Sequence, residues 1–254
     1  MSDREYDLVS VMAVPVDLVL RLQDSGWPAV GKNGLVEYLG HLPGGPPSNM
    51  SSAAARLGLK TAHVAKIRPG DTARIILDDF ERTGVSTEFI QVSEDAPYAF
   101  TVVVIFPNGD RSILVPLINW TDVDMANARQ AIARARYVTT LPMFFDLFLD
   151  LARAAQEAGC KVFVDVDQGM LNGQGQLDQL LAVSDIVSFN QHGFEMYCGG
   201  APTFERMRPL LDRGPEVIVA TRAEHGSIAV SRTEEADVPG FRVDVVDTTG
   251  AGDN

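Results

Sequence analysis

"KVFVDVDQGMLNGQGQLDQLLAVSDIVSFN", residues 161–190, contains two short strand patterns with a helical one between them. "KVFVDV" and "DIVSFN" read as strands, and the apolar spacing near Leu177 to Val183 reads as the helix that joins them. "GQGQ" at 173–176 reads as a flexible loop before that helix. A strand, a crossover helix and a second strand place the two strands parallel in one sheet.

The same unit repeats outward in both directions. Upstream lie a helix near Val123 to Ala135, the strand "YVTTL" (137–141) and the helix "FFDLFLDLARAAQEAG" (144–159). Downstream come "FERMRPLLDRG" (204–214), "EVIVAT" (216–221) and "GSIAV" (226–230). Near the start, "YDLVSVMAV" (6–14) is a continuous apolar run that suits a central strand. "SNMSSAAARLG" (48–58) reads as a helix with Ser48 as its cap and Gly58 as its stop, and "TAHVAKI" (61–67) is the next strand. In "DTARIILDDFERTG" (71–84), Asp71 caps a helix, Ile75, Ile76, Leu77 and Phe80 form its apolar stripe, and Gly84 ends it. Strands alternating with helices of about 10 to 15 residues imply a doubly wound α/β fold: a mostly parallel central sheet with helices on both faces. In such sheets ligands bind beyond the carboxyl ends of the strands.

The texture changes at 98–117, "YAFTVVVIFPNGDRSILVPL", where two β-rich runs flank Asn108-Gly109, a strong hairpin signal. An antiparallel pair inside a parallel α/β chain sits outside the main sheet or on its edge, which suits a small β lid. "GLVEYLGHL" (34–42) is the expected partner strand of that hairpin, so the lid is assigned to about 13–43 and 98–117.

With 254 residues, 46% of them apolar and 22% charged, the chain is long enough to bury a core without disulfides. No run of about 18 apolar residues is present to span a membrane, and no basic leader with a cleavage site opens the chain. The two cysteines, Cys160 and Cys198, lie far apart and in no metal-ligand spacing, so a reducing cytoplasm is the expected location. A net charge of −13 argues against nucleic acid or an anionic membrane as partner, since either needs a basic face.

"DTTGAGDN" (247–254) carries the chemistry. Gly250, Ala251 and Gly252 can turn successive backbone N–H groups toward one anion. A carboxylate beside that anion, Asp253, is no ligand for it, but it can accept the proton of a hydroxyl attacking phosphorus. A plain glycine-rich turn with a capping aspartate is the bland alternative, and the octapeptide alone leaves both open.

"DTTGAGD" resembles the C-terminal signature of the ribokinase-like (PfkB) carbohydrate kinases, and other stretches follow the family's order over the whole chain. "GGPPSN" (44–49) resembles its paired-glycine motif, "VSVMAVPVD" (9–17) its first strand, and "NGDR" (108–111) the turn of its lid. The resemblance implies an ATP-dependent phosphotransferase acting on a hydroxyl of a small sugar or sugar derivative, with Asp253 as base. It implies phosphoryl stabilisation by Gly250, Ala251 and Gly252, and sugar contacts from Asp17, Gly44, Gly45, Asn49 and Arg111. Asn190, Thr221, Gly226 and Thr248 fall at nucleotide-binding positions, and Asp247 and Thr249 where relatives bind a monovalent cation. ATP, Mg2+ and K+ are the implied cofactors, and a homodimer formed through the lid is the implied assembly.

Four positions depart from the family pattern. In "NQHGFE" Asn190 matches an Asn-x-x-Glu motif tied to magnesium, but Gly193 stands at the glutamate position and Glu195 lies two residues late. A helical residue displaced by two points about 200° away, so Glu195 is not expected to substitute. In "TRAEHG" Ala223 replaces the first glycine of a nucleotide-side turn, and a positive φ there would strain it by about 1 kcal/mol. In "KIRPGDTAR" Gly70 and Ala73 replace an aspartate and a glycine, and Met12 replaces a first-strand glycine, both packing changes. The stretch that follows the anion loop in relatives is a helix, so an expected truncation at Asn254 accompanies the assignment. Two other functions stay open: a nucleoside kinase of the same superfamily, and a sugar-binding relative with an impaired ATP half.

Overall fold

The computed structural model describes residues 4–23, 27–28, 30–242 and 252–253. Residues 161–190 form β10 (Lys161–Val166), α5 (Gln174–Val183) and β11 (Ile186–Asn190). β10 and β11 pair in parallel, with Asp165 opposite Ser188. The "GQGQ" segment is not a loop: Gly173, at φ 89°, is the N-cap and Gln174 starts the helix, because the left-handed turn at glycine lets the helix begin early. Its Leu177, Leu180 and Leu181 are buried.

The rest of the chain supplies β1 (Tyr6–Val11), β2 (Val16–Leu22), β3 (Val36–Pro43), α1 (Pro46–Arg56), β4 (Thr61–Ile67) and α2 (Asp71–Thr83). β5 (Val85–Ser86), β6 (Ile90–Val92), β7 (Phe100–Ile105), β8 (Arg111–Leu114), α3 (Met125–Ala133), β9 (Ala135–Thr139) and α4 (Phe145–Ala158) follow. After β11 come α6 (Gln191–Cys198), α7 (Phe204–Leu211), β12 (Val217–Thr221), β13 (Ser227–Ser231) and β14 (Glu235–Val238).

The main sheet runs β14-β13-β12-β11-β10-β9-β1-β4-β5, with β6 also on β4. Its centre, from β4 through β12, is parallel, and β13 and β14 close one edge antiparallel. One face packs Val9, Val11, Val64, Val164 and Ile218 against buried residues of α3 to α7, such as Ile132, Phe148, Leu180, Phe194 and Met207. On the other face α2 packs Ile76 and Phe80 with Ala65 and Ile67, and Ser51 of α1 meets Ser10 of β1. Helices therefore cover both faces, as the alternation predicts. Asn190 caps α6, accepting the Gly193 N–H on its side-chain oxygen, a helix the sequence reading did not delimit.

Two expected caps differ. α1 starts one turn earlier than Ser48, at the N-cap Gly45 (φ 89°), because Pro46 and Pro47 have the fixed φ that suits a first turn. Ser48 Oγ donates back to the Gly45 carbonyl at 2.8 Å. At α2 the N-cap is Gly70 (φ 131°), and Asp71 is the first helical residue, accepting from Arg74 Nη2 at 3.1 Å. The stops hold: Gly84 (φ 87°) caps α2, and Gly58 (φ 91°) follows α1.

A second, four-stranded sheet has the order β3-β2-β7-β8. β7 and β8 form the expected hairpin around Asn108-Gly109, closed by Phe106 N–H to Asp110 O at 2.8 Å, with Gly109 at φ 87°. β3 does not pair with that hairpin: β2 lies between them, antiparallel to β3 and parallel to β7. "VDLVLRL" is the strand the sequence reading left out. Among the described residues no helix is long and apolar enough to cross a membrane.

Candidate active site

The site starts where β2 and α1 leave neighbouring turns. The Gly44 N–H donates to Pro15 O at 2.9 Å, which brings the glycine pair against the start of β2. Asp17 on β2 stands opposite Thr101 of β7, and Thr101 Oγ1 donates to Asp17 Oδ1 at 2.6 Å. A Cβ on Gly44 would lie 2.3 Å from Asp17 Oδ2, so any other residue there would have to displace this carboxylate. Burial pushes the Asp17 carboxyl above its ordinary range, and the Thr101 hydrogen bond opposes that push.

One turn into α1, Asn49 Nδ2 donates to Asp253 Oδ2 at 2.7 Å, across 204 positions of sequence. The structure therefore brings Asp17, Gly44, Gly45, Asn49 and Asp253 around one helix terminus. Burial raises the Asp253 carboxyl. The Asn49 hydrogen bond lowers it, the Asp167 charge raises it and the Arg111 charge lowers it. Arg111, the first residue of β8, thus acts on Asp253 from the second sheet. Gly252 is exposed beside the half-buried Asp253. Asp247, Thr248, Thr249, Gly250 and Ala251 lie outside the described residues.

Asp253, Gly252 and Thr221 line a cavity of about 420 Å3 that also takes in Met50, Phe163, Asp165 and Ser188. Asp165, at the carboxyl end of β10, is pushed up to about 6, chiefly by burial and against a hydrogen bond from Ser188. The Asp253 and Asp167 charges add to the rise. Sequence reasoning missed Asp165, Asp167 and Thr101. The signal for the first two was position, since carboxylates ending a central strand of a doubly wound sheet stand where ligands bind.

On the nucleotide side of the expected layout, Asn190 Nδ2 donates to Asp167 Oδ1, and Asn190 Oδ1 accepts from Gly193 N at 2.7 Å. A Cβ at Gly193 would lie 2.5 Å from Val166 O and 3.0 Å from Asn190 Oδ1, so a glutamate does not fit there. Glu195 accepts from Gln191 Nε2 at 2.8 Å and stands 3.8 Å from His192 Nδ1, all on its own helix. It is not brought to Asn190, in agreement with the angle argument. Thr221 ends β12 opposite Ser227. Gly226, at φ 83°, is close-packed on Val238 O, where a Cβ would approach to 2.0 Å. Ala223 has φ 49°, the one non-glycine residue with positive φ among the described residues. The condition for strain at that position is therefore met, at about 1 kcal/mol. Among the described residues, no three or more His, Cys, Asp or Glu side chains converge as a metal site.

This architecture, with a glycine pair beside a strand-borne aspartate and a second aspartate under the next helix, defines a ribokinase-like kinase. The pfkB family carbohydrate kinase model matches residues 7–254, and the chain belongs to that family. It is 27% identical over 257 aligned positions to mouse ribokinase, covering 96% of this chain and 77% of the relative. It is 28% identical over 226 positions to an aminoimidazole riboside kinase of Salmonella typhimurium, covering 83% of this chain and 70% of that one. The solved structure of Arabidopsis thaliana ribokinase complexed with ribose and ATP superposes with a TM-score of 0.79 at 22% identity, covering 98% of this chain and 82% of that one. The protein is a carbohydrate kinase with a small second sheet beside its main one.

Proposed function

We propose that this kinase moves the γ-phosphoryl group of ATP to a hydroxyl of a small sugar, with Asp253 as the base. The observation that carries the reading is the 2.7 Å bond from Asn49 to Asp253 on the helix that follows Gly44, the glycine that abuts Asp17. Asp17, Gly44, Gly45 and Asn49 bind and orient the sugar, and Arg111 approaches it from the second sheet. The attacking hydroxyl oxygen bonds to the γ-phosphorus as the bridging oxygen leaves with ADP, and the hydroxyl proton passes to Asp253. An aspartate suffices for this because the transition state is loose and the proton leaves late. Backbone N–H groups of Gly250, Ala251 and Gly252 meet the developing phosphoryl charge. Thr221, Gly226, Asn190 and Thr248 are the proposed nucleotide contacts.

The residues present fit a Mg2+ ion that arrives on the ATP phosphates rather than in an all-protein cage. Mg2+ commonly takes one or two carboxylates beside phosphate oxygens; Asp165 lines the cavity, and Asp167 is near enough for its charge to raise the Asp165 carboxyl. When bound, it neutralises phosphate charge during transfer. Asp247 and Thr249 are the proposed K+ ligands. Closure of the second sheet as a lid excludes water that competes with the sugar. Exposed apolar side chains on and beside that sheet, including Tyr38, Leu42, Ile113 and Leu114, support pairing with a second copy. A cytoplasmic location supplies ATP and suits the free thiols of Cys160 and Cys198.

Gly193 and the strained Ala223 favour a second reading, a sugar binder with a weak ATP half. The riboside kinase relative keeps a nucleoside acceptor open. Incubation of the protein with ATP, Mg2+ and a panel of sugars and nucleosides separates the three. Tight binding of one sugar without ADP release from any member would reject the kinase reading.

A further inference from the structure

Asn49 makes one contact that sugar binding does not require. Its amide nitrogen donates to Asp253 Oδ2 at 2.7 Å. A donor on one carboxylate oxygen favours the orientations that turn the other oxygen away from it. The turn that carries Asn49 is itself stiff. Pro46 and Pro47 fix its entry, Ser48 Oγ donates to the Gly45 carbonyl at 2.8 Å, and Asn49 N–H donates to the same carbonyl at 3.1 Å. At the other end of this turn Gly44 abuts the Asp17 carboxylate, which is held in turn by Thr101. A short rigid bracket therefore runs from Asp17 through Gly44 and Asn49 to Asp253.

We infer that Asn49 is a positioning residue for Asp253: its amide fixes one carboxylate oxygen so that the other faces the acceptor hydroxyl held by Asp17. This rests on the reading of Asp253 as base. The bracket makes acceptor recognition and base orientation properties of one helical turn, so a sugar seated against Asp17 meets a base already aimed. An amide donor also favours the ionised form of the carboxylate it touches, which keeps the base competent at lower pH.

The test compares wild type with Asn49→Ala and the isosteric Asn49→Asp across pH 4 to 9, following kcat and kcat/KM separately, with circular dichroism to confirm folding. The expected result is a kcat about tenfold lower at pH 8 in the alanine variant. The acid limb of kcat/KM should move up by about one pH unit in the alanine variant and further in the aspartate variant, whose charge opposes ionisation of Asp253. A higher sugar KM with kcat and the acid limb unchanged in both variants would overturn the inference, leaving Asn49 a sugar contact only. Asp253→Asn, run in parallel, separates the two failures. If it turns over normally, the base assignment falls. If it is inactive while the Asn49 variants keep the wild-type pH profile, only the positioning role falls.

Discussion

Substituting alanine at Gly44 asks whether the contact between the glycine pair and Asp17 is as close as the structure has it. The added Cβ would lie 2.3 Å from Asp17 Oδ2, 2.6 Å from Cγ and 2.7 Å from Oδ1, distances at which real carbon atoms never rest. Rotating the carboxylate away would stretch or break its 2.6 Å bond from Thr101 at a partly buried position. Something must shift, and forced overpacking of this size costs about 1–3 kcal/mol. For a chain of 254 residues that is a fall in Tm of roughly 5 °C. The functional loss should exceed the stability loss, since the group displaced is the proposed sugar ligand: sugar KM should rise at least about tenfold, or about 1.4 kcal/mol. Thr101→Ala gives the carboxylate room, so it should cost less in the Gly44→Ala background, with a coupling of at least about 0.5 kcal/mol in the double-mutant cycle. Thermal melts and sugar saturation curves on the four proteins suffice. A Gly44→Ala variant with wild-type Tm and KM would show that Asp17 does not sit against this backbone, and the site geometry would be wrong.

Two further outcomes follow from packing. His63 is fully buried against Phe80, its Nδ1 without a partner among the described residues and its Nε2 on the Met12 carbonyl at 2.9 Å, and burial depresses its pKa from 6.5 to about 4. The unfolded chain therefore takes up the proton first, so stability is full above 6.5 and is lost as pH falls toward 4. Denaturant melts should show His63→Leu losing about 2 kcal/mol less than wild type between pH 8 and pH 5, and equal losses would refute the buried neutral imidazole. If the second sheet pairs with a second copy, sedimentation should give a dimer for wild type at micromolar concentration and a folded monomer for Leu114→Glu. A wild-type monomer would remove the dimer.

What the sequence made legible follows from where the physics is local. The strand and helix periods, the Asn108-Gly109 hairpin and the glycine stops at 58 and 84 depend on a few neighbouring residues, and all stand in the structure. The glycine caps at 45, 70 and 173 were misread as serine, aspartate or loop positions, because a glycine N-cap has no side chain to announce it. The placement of β2 between β3 and the hairpin was not legible either, since strand order is set by long-range pairing that the period of "VDLVLRL" does not encode. In the candidate site, Asp17, Gly44, Gly45, Asn49 and Asp253 were readable through a family motif. The reason for Gly44 lies in an Asp17 carboxylate 27 positions away, which only the fold brings near. Whether Ala223 is strained depends on its φ, which no residue type encodes; it is 49°. Asp165 and Asp167 escaped notice because isolated acidic residues resemble solvated ones until the sheet buries them.

The central claim is that Asp253 accepts the acceptor's proton during phosphoryl transfer. The direct measurement is transfer of labelled γ-phosphate from ATP to the sugar that the panel identifies, by wild type and by Asp253→Asn, with calorimetry of sugar binding to both. The account predicts a fall in kcat of at least about a thousandfold in the variant while sugar affinity stays within about threefold. Turnover by Asp253→Asn at a rate near wild type would contradict it.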